Sequence, residues 1–355
     1  MAHAYSPIGR GHGRGCSFLA ITMAVIVYCS YRFGIIDMLW LLAPVAPPAN
    51  IGKMTRSTLF IPSSPLTVGG SPMPAVGFGT CCRAGANGPQ LIKSVREYLR
   101  QGGRLIDTAM SYGNHREIGT AVRLSKVSRQ EVWITTKVDP RLGYRTRTDM
   151  LSGVNQSLAE LGFGWVELTL VHSPGSLSPA EQLDSWEGLI EARRRKWTTH
   201  IGVSNFVRAQ IEALDAGSTV RPEALQLEFH PWVPSSTLDL VEWCVRKSIT
   251  PIAYGSLGGA ANKARGRTIS ALARAHGVSN AQLLLLWALE RRVAIIPGAT
   301  SAEHIRENLH LPPHLGLTDA EQRELRDSPK PLYFARWLNL PGESVLTFVR
   351  EQLLG

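Results

Sequence analysis

Cysteine and long apolar runs are both scarce in this sequence. The 355-residue chain has five cysteines, and no spacing among them is typical of a zinc site or a disulfide framework. An uninterrupted run of about 20 apolar residues, which a membrane-spanning helix needs, is also missing. We therefore predict no metal site and no disulfide framework. We expect the folded part to work in a reducing compartment, the cytoplasm.

Acidic residues are in the minority, with 28 Asp and Glu against 38 Lys and Arg, a formal net charge of +10. A net four of these charges belong to residues 1–57, where two shorter apolar runs, 18–31 and 35–45, follow Arg10 and Arg14. This arrangement is typical of a signal peptide or signal anchor. We expect a leader over residues 1–57. It either associates with a membrane through residues 18–45 or targets the protein, or else it is a poorly ordered or non-native extension.

Short apolar runs alternate with amphipathic segments beyond the leader. Eight runs are predicted strands, at 75–78, 104–106, 132–135, 167–171, 200–203, 224–227, 250–253 and 293–296. Apolar residues at three- and four-residue steps predict helices at 89–101, 147–161, 207–215, 236–247, 268–276, 279–291 and 302–309. Capping boxes at Ser178 and Thr318 begin two more helices. This alternation predicts an α/β fold with a parallel sheet, and eight units close a (β/α)8 TIM barrel. We expect a single barrel domain over 58–330, preceded by the leader and followed by a tail, 331–355.

Polar residues follow three adjacent predicted strands. Asp107 and Tyr112 follow the second strand, Lys137 the third and His172 the fourth. A barrel gathers its functional groups at the carboxyl ends of its strands, so these side chains are expected to meet at one rim. An ammonium beside a phenol lowers the pKa of the phenol, so Lys137, fixed by Asp107, is expected to make Tyr112 a better acid. Neutral His172 is expected to hold a substrate carbonyl near the hydroxyl. Each residue alone is more often structural, but four at consecutive strand ends favour catalysis.

An ordered series of motifs resembles the aldo-keto reductase family over about residues 58–330. The motifs are Gly77-Phe78-Gly79-Thr80, Ile106-Asp107-Thr108-Ala109 with Tyr112-Gly113-Asn114, Thr135-Thr136-Lys137, Leu170-Val171-His172, Gly202-Val203-Ser204-Asn205-Phe206, Gln226-Leu227-Glu228-Phe229-His230-Pro231, Ala253-Tyr254 and Ile296-Pro297 with Glu307-Asn308. The resemblance implies that Tyr112 is the general acid. It also implies that Lys137 and Asp107 lower the pKa of Tyr112 and that His172 orients the carbonyl.

The resemblance also implies a nicotinamide cofactor, which supplies the hydride. Its carboxamide would be held by Ser204, Asn205 and Gln226, and its ring would stack on Tyr254. The remaining implied contacts are Ser256 and Leu257 at the pyrophosphate, Thr80 and Asp107 at the ribose, and Glu307 and Asn308 at the adenine.

Three positions depart from the pattern that binds the 2′-phosphate of NADPH. Members that use NADPH usually follow the last strand with Lys-Ser and place an Arg six residues after that Lys, whereas this chain has Gly298, Ala299 and His304. The strongest phosphate contacts are therefore absent from these positions. Arg306 and Lys263 are candidate substitutes nearby in sequence, but Arg306 is two residues from the expected position and so on a different helix face. We expect NADPH as the cofactor, with NADH or a weakened cofactor site as the alternatives.

Other departures concern the substrate and the exchange of cofactor. Cys81 and Ser173 stand where aromatic residues are common, and His115 stands where a glutamate often does, which predicts a wider and more polar pocket. The stretch 258–262 is short, so we expect no long loop over the cofactor and easier cofactor exchange.

The predicted activity is NAD(P)H-dependent reduction of an aldehyde or ketone to an alcohol, or the reverse reaction. The alternative is a non-catalytic, cofactor-sensing regulatory subunit, because some members similar to this chain associate with membrane channels. The expected partner is a small carbonyl or alcohol substrate. The basic run 193–196 falls at a predicted helix C-terminus, where cations complement the helix dipole, so we expect no nucleic acid. Substrate identity, reaction direction and oligomeric state stay open.

Overall fold

The structure is a computed structural model that describes residues 65–258 and 266–328. The predicted leader, including the run 18–45, the tail 331–355 and Lys263 lie outside these residues, as does most of the stretch 258–262. None of the helices in the two described ranges combines the length and hydrophobicity that crossing a lipid bilayer requires.

The strands of the two described ranges form a short hairpin and one large sheet. They are β1 (Leu66–Val68), β2 (Ser71–Met73), β3 (Phe78–Gly79), β4 (Leu105–Asp107), β5 (Trp133–Val138), β6 (Val166–Val171), β7 (Thr198–Ser204), β8 (Ala224–Glu228), β9 (Thr250–Tyr254) and β10 (Ala294–Ile295). Strands β3 to β10 form an eight-stranded parallel sheet in chain order, as predicted.

Helices connect successive strands of the sheet, and two more follow the last strand. They are α1 (Gly88–Arg100), α2 (His115–Leu124), α3 (Arg147–Leu161), α4 (Pro179–Arg194), α5 (Arg208–Gly217), α6 (Ser235–Arg246), α7 (Gly266–Ala275), α8 (Asn280–Leu289), α9 (Ala302–Leu309) and α10 (Asp319–Asp327). The capping boxes predicted at Ser178 and Thr318 are confirmed at the starts of α4 and α10. Helix α2 was not predicted, although Ile118, Ala121 and Val122 are buried at helical spacing.

The two edge strands of the sheet also meet. Val76 forms a parallel bridge with Ile295, and the amide of Gly77 donates a hydrogen bond of 2.7 Å to the Ile295 carbonyl. The approach is close: a Cβ on Gly79 would lie 2.5 Å from the carbonyl oxygen of Ile296, so only glycine fits there. The sheet therefore curls until the residues just before β3 are hydrogen-bonded to β10.

The β1–β2 hairpin covers the interior of the curled sheet. Val68 and Met73 are fully buried in a cluster with inward-facing residues of the sheet, among them Trp133, Leu168 and Ile252. Thr250 Oγ1 donates a hydrogen bond to the Thr67 carbonyl and joins the hairpin to the start of β9, at the end of the sheet away from the strand carboxyl ends. The hairpin was not predicted, although a Gly-Gly pair between two short runs is a hairpin signal.

Candidate active site

The structure brings the four predicted rim residues together at the carboxyl ends of β4 to β6. Asp107 is the last residue of β4, Lys137 is the fifth residue of β5, and His172 directly follows β6. Tyr112 ends a short 3-10 turn, Met110–Tyr112, which Gly113 terminates in the left-handed conformation. Parallel register places Asp107 beside Thr135 and Lys137 beside Leu170, so these strand ends lie side by side.

The ammonium of Lys137 is the centre of the hydrogen-bonded group. Its Nζ donates to Oδ1 of Asp107 at 2.7 Å, to the Thr108 carbonyl at 2.9 Å and to the Tyr112 hydroxyl oxygen at 3.3 Å. Lys137 is fully buried, so its three protons go to these three acceptors. The phenol oxygen of Tyr112 acts as an acceptor here, which leaves its own proton for another group.

Burial and the neighbouring charged groups act in opposite directions on the pKa values of Tyr112 and Lys137. Burial raises the pKa of Tyr112 above its ordinary value and outweighs Lys137, which lowers it as predicted. Asp107 was also predicted to lower this pKa, but its negative charge raises it. Burial lowers the pKa of Lys137, but Asp107 and Tyr112 outweigh it and the net direction is upward. At neutral pH the site therefore contains a neutral phenol beside a charged ammonium.

His172 lies edge-on to Tyr112, with ring centroids 5.7 Å apart and an interplanar angle of 76°. Its Nδ1 is 3.3 Å from Oδ2 of Asp139 and 3.2 Å from the hydroxyl of Ser111. Burial lowers the pKa of His172, with Lys137 acting in the same direction and Asp139 opposing it. The neutral state expected for His172 agrees with this direction.

Asp139 was not among the predicted site residues. It follows β5 directly, and Arg141 clamps both of its oxygens: the Arg141 amide and Nε donate to Oδ1 at 3.0 and 2.9 Å, and Nη2 donates to Oδ2 at 2.7 Å. Burial would raise the pKa of Asp139, but hydrogen bonds from His172 and Arg141 outweigh it and lower the pKa. The strand-end rule that selected Lys137 would also have selected this residue.

Predicted cofactor residues gather at the ends of β7 to β9. The Asn205 amide donates to the Ser204 hydroxyl at 3.1 Å and to the His172 carbonyl at 2.9 Å, and its Oδ1 accepts from the Tyr254 hydroxyl at 2.8 Å. Asn205 has a φ of 62°, in the left-handed region that asparagine tolerates better than most residues. Gln226 Nε2 donates to Oδ2 of Asp107 at 2.6 Å.

The other predicted cofactor residues lie at two places. Near the rim, the Thr80 hydroxyl donates to the Asp107 carbonyl at 2.9 Å, and the buried Ser256 hydroxyl donates to the Ala253 carbonyl at 3.1 Å. Leu257 follows directly and packs against the core. Glu307 and Asn308 lie on α9 and take part in none of the hydrogen bonds described above for the rim residues.

The guanidinium of Arg83 lies beside Gly298 and Ala299, two of the positions that lack the expected 2′-phosphate contacts. Arg83 Nη1 donates to the Gly79 carbonyl at 2.6 Å, and Nη2 donates to the Ala299 carbonyl at 3.3 Å. A side chain at Gly298 would collide with Nη1, so the glycine makes room for this arginine. His304 is exposed, and its amide is capped by Ser301. Arg83 is a second residue that the sequence analysis missed.

The residues that replaced common family side chains have differing roles. His115 is buried away from the rim, with Nε2 3.0 Å from the Thr136 hydroxyl and Nδ1 3.2 Å from Glu160, so its position is structural. Ser173 accepts a hydrogen bond from the Gly175 amide. The sulfur atoms of the adjacent residues Cys81 and Cys82 lie against each other. Within the described ranges, no cluster of His, Cys, Asp and Glu could hold a metal ion.

Comparison with known proteins assigns the family. A sequence model described as the aldo/keto reductase family matches residues 75–328. An aldo-keto reductase from Mycobacterium marinum is 34% identical over 240 residues, covering 67% of this chain and 81% of that protein. A 9,11-endoperoxide prostaglandin H2 reductase from Trypanosoma cruzi is 32% identical over 256 residues, covering 71% and 87%.

The fold agrees with that assignment. The crystal structure of a Bombyx mori aldo-keto reductase in complex with NADP superposes with a TM-score of 0.68 at 26% identity, covering 79% of this chain and 98% of that one. The curled eight-stranded sheet thus matches the (β/α)8 barrel of solved members. The chain belongs to the aldo/keto reductase family and is an oxidoreductase.

Proposed function

We propose that this protein reduces an aldehyde or ketone to an alcohol with NAD(P)H, and that Tyr112 donates the proton. The observation that carries the proposal is the buried Lys137 ammonium, which joins Asp107 at 2.7 Å to Tyr112 at 3.3 Å. As the carbonyl becomes an alcohol, its oxygen takes a proton from Tyr112 and a phenolate forms. Lys137 is already in place to stabilise that phenolate, without reorganisation of the site.

The residues at the rim suit a nicotinamide cofactor, which supplies a hydride when bound. The hydroxyl of Ser204 and the amides of Asn205 and Gln226 form a cluster of donors and acceptors that fits a carboxamide. Because Nε2 of Gln226 is used by Asp107, Gln226 offers its Oε1 as an acceptor. Tyr254, tied through its hydroxyl to Asn205, is the ring expected to stack on the nicotinamide.

The remaining proposed cofactor contacts follow the chain around the rim. They are Thr80 and Asp107 at the ribose, Ser256 and Leu257 at the pyrophosphate, and Glu307 and Asn308 at the adenine. We propose NADPH before NADH for two reasons. The similar Bombyx mori protein was solved with NADP, and Arg83 supplies a positive charge beside Gly298 and Ala299. Hydrogen bonds from guanidinium to phosphate are among the stronger ones in proteins.

We also propose that residues 58–330 form one closed (β/α)8 barrel. The bridge between Val76 and Ile295 supports this proposal, since it joins the two edges of the sheet. The expected partner is a small carbonyl or alcohol. The alternative of a non-catalytic regulatory subunit gains no support, because the similar proteins carry reductase names.

The test is a cofactor titration followed by an activity screen on the full-length protein. NADPH and NADH are titrated separately while tryptophan fluorescence is recorded, and the tighter cofactor is then assayed with a panel of aldehydes and ketones. We expect binding of NADPH and its oxidation with at least one carbonyl. Tight binding without turnover of any carbonyl or alcohol would instead favour the cofactor-sensing alternative.

A further inference from the structure

A buried carboxylate contacts the side of His172 that faces away from Nε2. Oδ2 of Asp139 lies 3.3 Å from Nδ1, and the Asp139 side chain is only 2% exposed. Arg141 donates to both carboxylate oxygens, so Asp139 is held charged and in one orientation. A charged carboxylate has no proton to donate and can only accept hydrogen bonds.

We infer that Asp139 is a positioning residue that fixes His172 in the tautomer with its proton on Nδ1, so that Nε2 presents a lone pair to the substrate oxygen. The inference rests on the proposed function, because it assigns His172 to the substrate. Ser111, the other neighbour of Nδ1, can donate or accept and therefore does not select a tautomer. The backbone of His172 is held from both sides, by the Val138 carbonyl and by the Asn205 amide, so the ring is fixed in place.

In this tautomer, Nε2 of His172 interacts differently with an alcohol and with a carbonyl. An alcohol hydroxyl donates a hydrogen bond to the bare Nε2, whereas a carbonyl oxygen has only lone pairs to offer it. His172 can therefore donate a hydrogen bond to a carbonyl only after it takes a second proton, at Nε2, which differs from the expectation that neutral His172 holds the carbonyl. When bound, NADPH would supply the hydride that the carbonyl carbon accepts and would itself become NADP⁺. The π electron pair moves to the oxygen, which takes the proton of Tyr112, while His172 keeps both of its own protons.

The charged and titratable groups around His172 determine the pH below which His172 carries that second proton. Tyr112 and Lys137 face it from the ends of β4 and β5, Asp139 faces it with Arg141 behind, and the neutral Asn205 amide faces it from β7. Burial and Lys137 lower the pKa of His172, so the neutral form with a bare Nε2 predominates at pH 7. Reduction is expected to speed up as the pH falls, and oxidation of the alcohol is expected to keep its rate near neutral pH.

The tautomer can be measured without any activity. Full-length protein labelled with ¹⁵N-histidine is examined by NMR at neutral pH, and the His172→Phe variant identifies the signal. We expect a protonated Nδ1 and an unprotonated Nε2. A signal from protonated Nε2 in neutral His172 would overturn the inference.

Asp139→Asn tests the same point through the pH profile. With its oxygen at the Oδ1 position, the variant side chain keeps the hydrogen bonds from the amide and Nε of Arg141 and loses the one from Nη2 at Oδ2. We expect this orientation, in which the NH₂ group faces Nδ1 and moves the ring proton to Nε2. For the wild type, kcat/KM for carbonyl reduction should fall about tenfold per pH unit above the pKa of His172, following the imidazolium population. In Asp139→Asn that dependence should disappear. A variant profile that matches the wild type contradicts the inference.

Two further variants keep the test decisive. Ser111→Ala is the matched control, because it removes the other neighbour of Nδ1 and should leave the pH dependence in place. Asp139→Ala serves if the Asn variant does not fold, and it should weaken the dependence by freeing the choice of tautomer. A wild type that reduces no carbonyl contradicts the proposed function, whereas the NMR result still decides the role of Asp139.

Discussion

Gln226 Nε2 donates a hydrogen bond of 2.6 Å to Oδ2 of Asp107, although 119 positions separate the two residues in the chain. They stand on β8 and β4, four strands apart in the sheet, so the bond crosses the inside of the curl. Lys137 occupies the other oxygen of the same carboxylate. Asp107 therefore ties the acid–base residues to the residues proposed to hold the cofactor.

Gln226→Leu should weaken both folding and cofactor binding. Loss of the amide leaves Oδ2 of Asp107 buried without a partner, which costs about 1 to 3 kcal/mol of the free energy of unfolding. Urea unfolding measures this loss, and fluorescence titration should show a higher Kd for NADPH. The matched control is Gln182→Leu, which removes a buried 2.9 Å bond to the Leu177 carbonyl. An equal rise in Kd in both variants would contradict the assignment of Gln226.

Lys137→Met should destabilise the fold more than the removal of an exposed lysine does. Asp107 would remain buried and charged without its ammonium, which costs about 3 to 5 kcal/mol. The double variant Lys137→Met with Asp107→Asn should recover part of that loss in urea unfolding, and neither should reduce carbonyls at the wild-type rate. Stability of the single variant equal to that of the wild type would refute the buried ion pair.

Tyr112→Phe should abolish most of the reduction while NADPH still binds. The change removes only the phenolic proton donor, and general acids contribute about 10² to 10⁴ in rate. Steady-state rates with the preferred carbonyl measure the loss, and fluorescence titration checks the binding. Tyr144→Phe is the control, because the Tyr144 hydroxyl bonds to the exposed Gln156, away from the rim. Full activity in Tyr112→Phe would exclude Tyr112 as the acid.

Arg83→Met should weaken the binding of NADPH more than that of NADH. If Arg83 contacts the extra phosphate, its loss removes a charged hydrogen bond worth about 1.5 to 3 kcal/mol, which is roughly a tenfold or greater rise in Kd. Paired titrations with the two cofactors separate this effect from general damage. Arg306→Met is compared in parallel because Arg306 lies on α9, and a selective loss in that variant alone would transfer the role to Arg306.

Asp139→Asn should reduce stability more at neutral pH than in acid. His172 and Arg141 lower the pKa of Asp139 in the folded state, against the effect of burial. The stabilisation is therefore present above the ordinary carboxyl pKa of about 4 and is lost as the pH falls through the lower folded value. We expect a difference of about 1 to 3 kcal/mol between wild type and variant at pH 7. In urea unfolding at pH 3 that difference should be smaller, and an unchanged one would be inconsistent with the pKa shift.

The strand-end rule identified much of the site because it depends only on the order of the chain. Asp107, Lys137 and His172 each stand at the end of a parallel strand, and parallel strands place their carboxyl ends together. The pKa of Tyr112 could not be predicted in the same way. Its direction depends on how much water the fold excludes, and the local pattern of residues does not record this.

Other features escaped prediction because their signals are short or distant. The β1–β2 hairpin has three residues in each strand, too few for a periodic pattern. The guanidinium of Arg83 reaches the Ala299 carbonyl, a contact between residues 216 positions apart that arises only when β3 and β10 meet. The clamp of Arg141 on Asp139 is local, and an Asp-Pro-Arg sequence after a strand could have pointed to it.

The order of the rim residues along the chain has a practical consequence. Asp107, Tyr112, Lys137 and His172 all precede β7, whereas Ser204, Gln226 and Tyr254 belong to β7, β8 and β9. One break in the chain between β6 and β7 would therefore put proton transfer in one fragment and nicotinamide recognition in the other. Activity regained by co-expressed halves would require β6 to pair with β7, so this protein could serve as a split-enzyme reporter of sheet assembly.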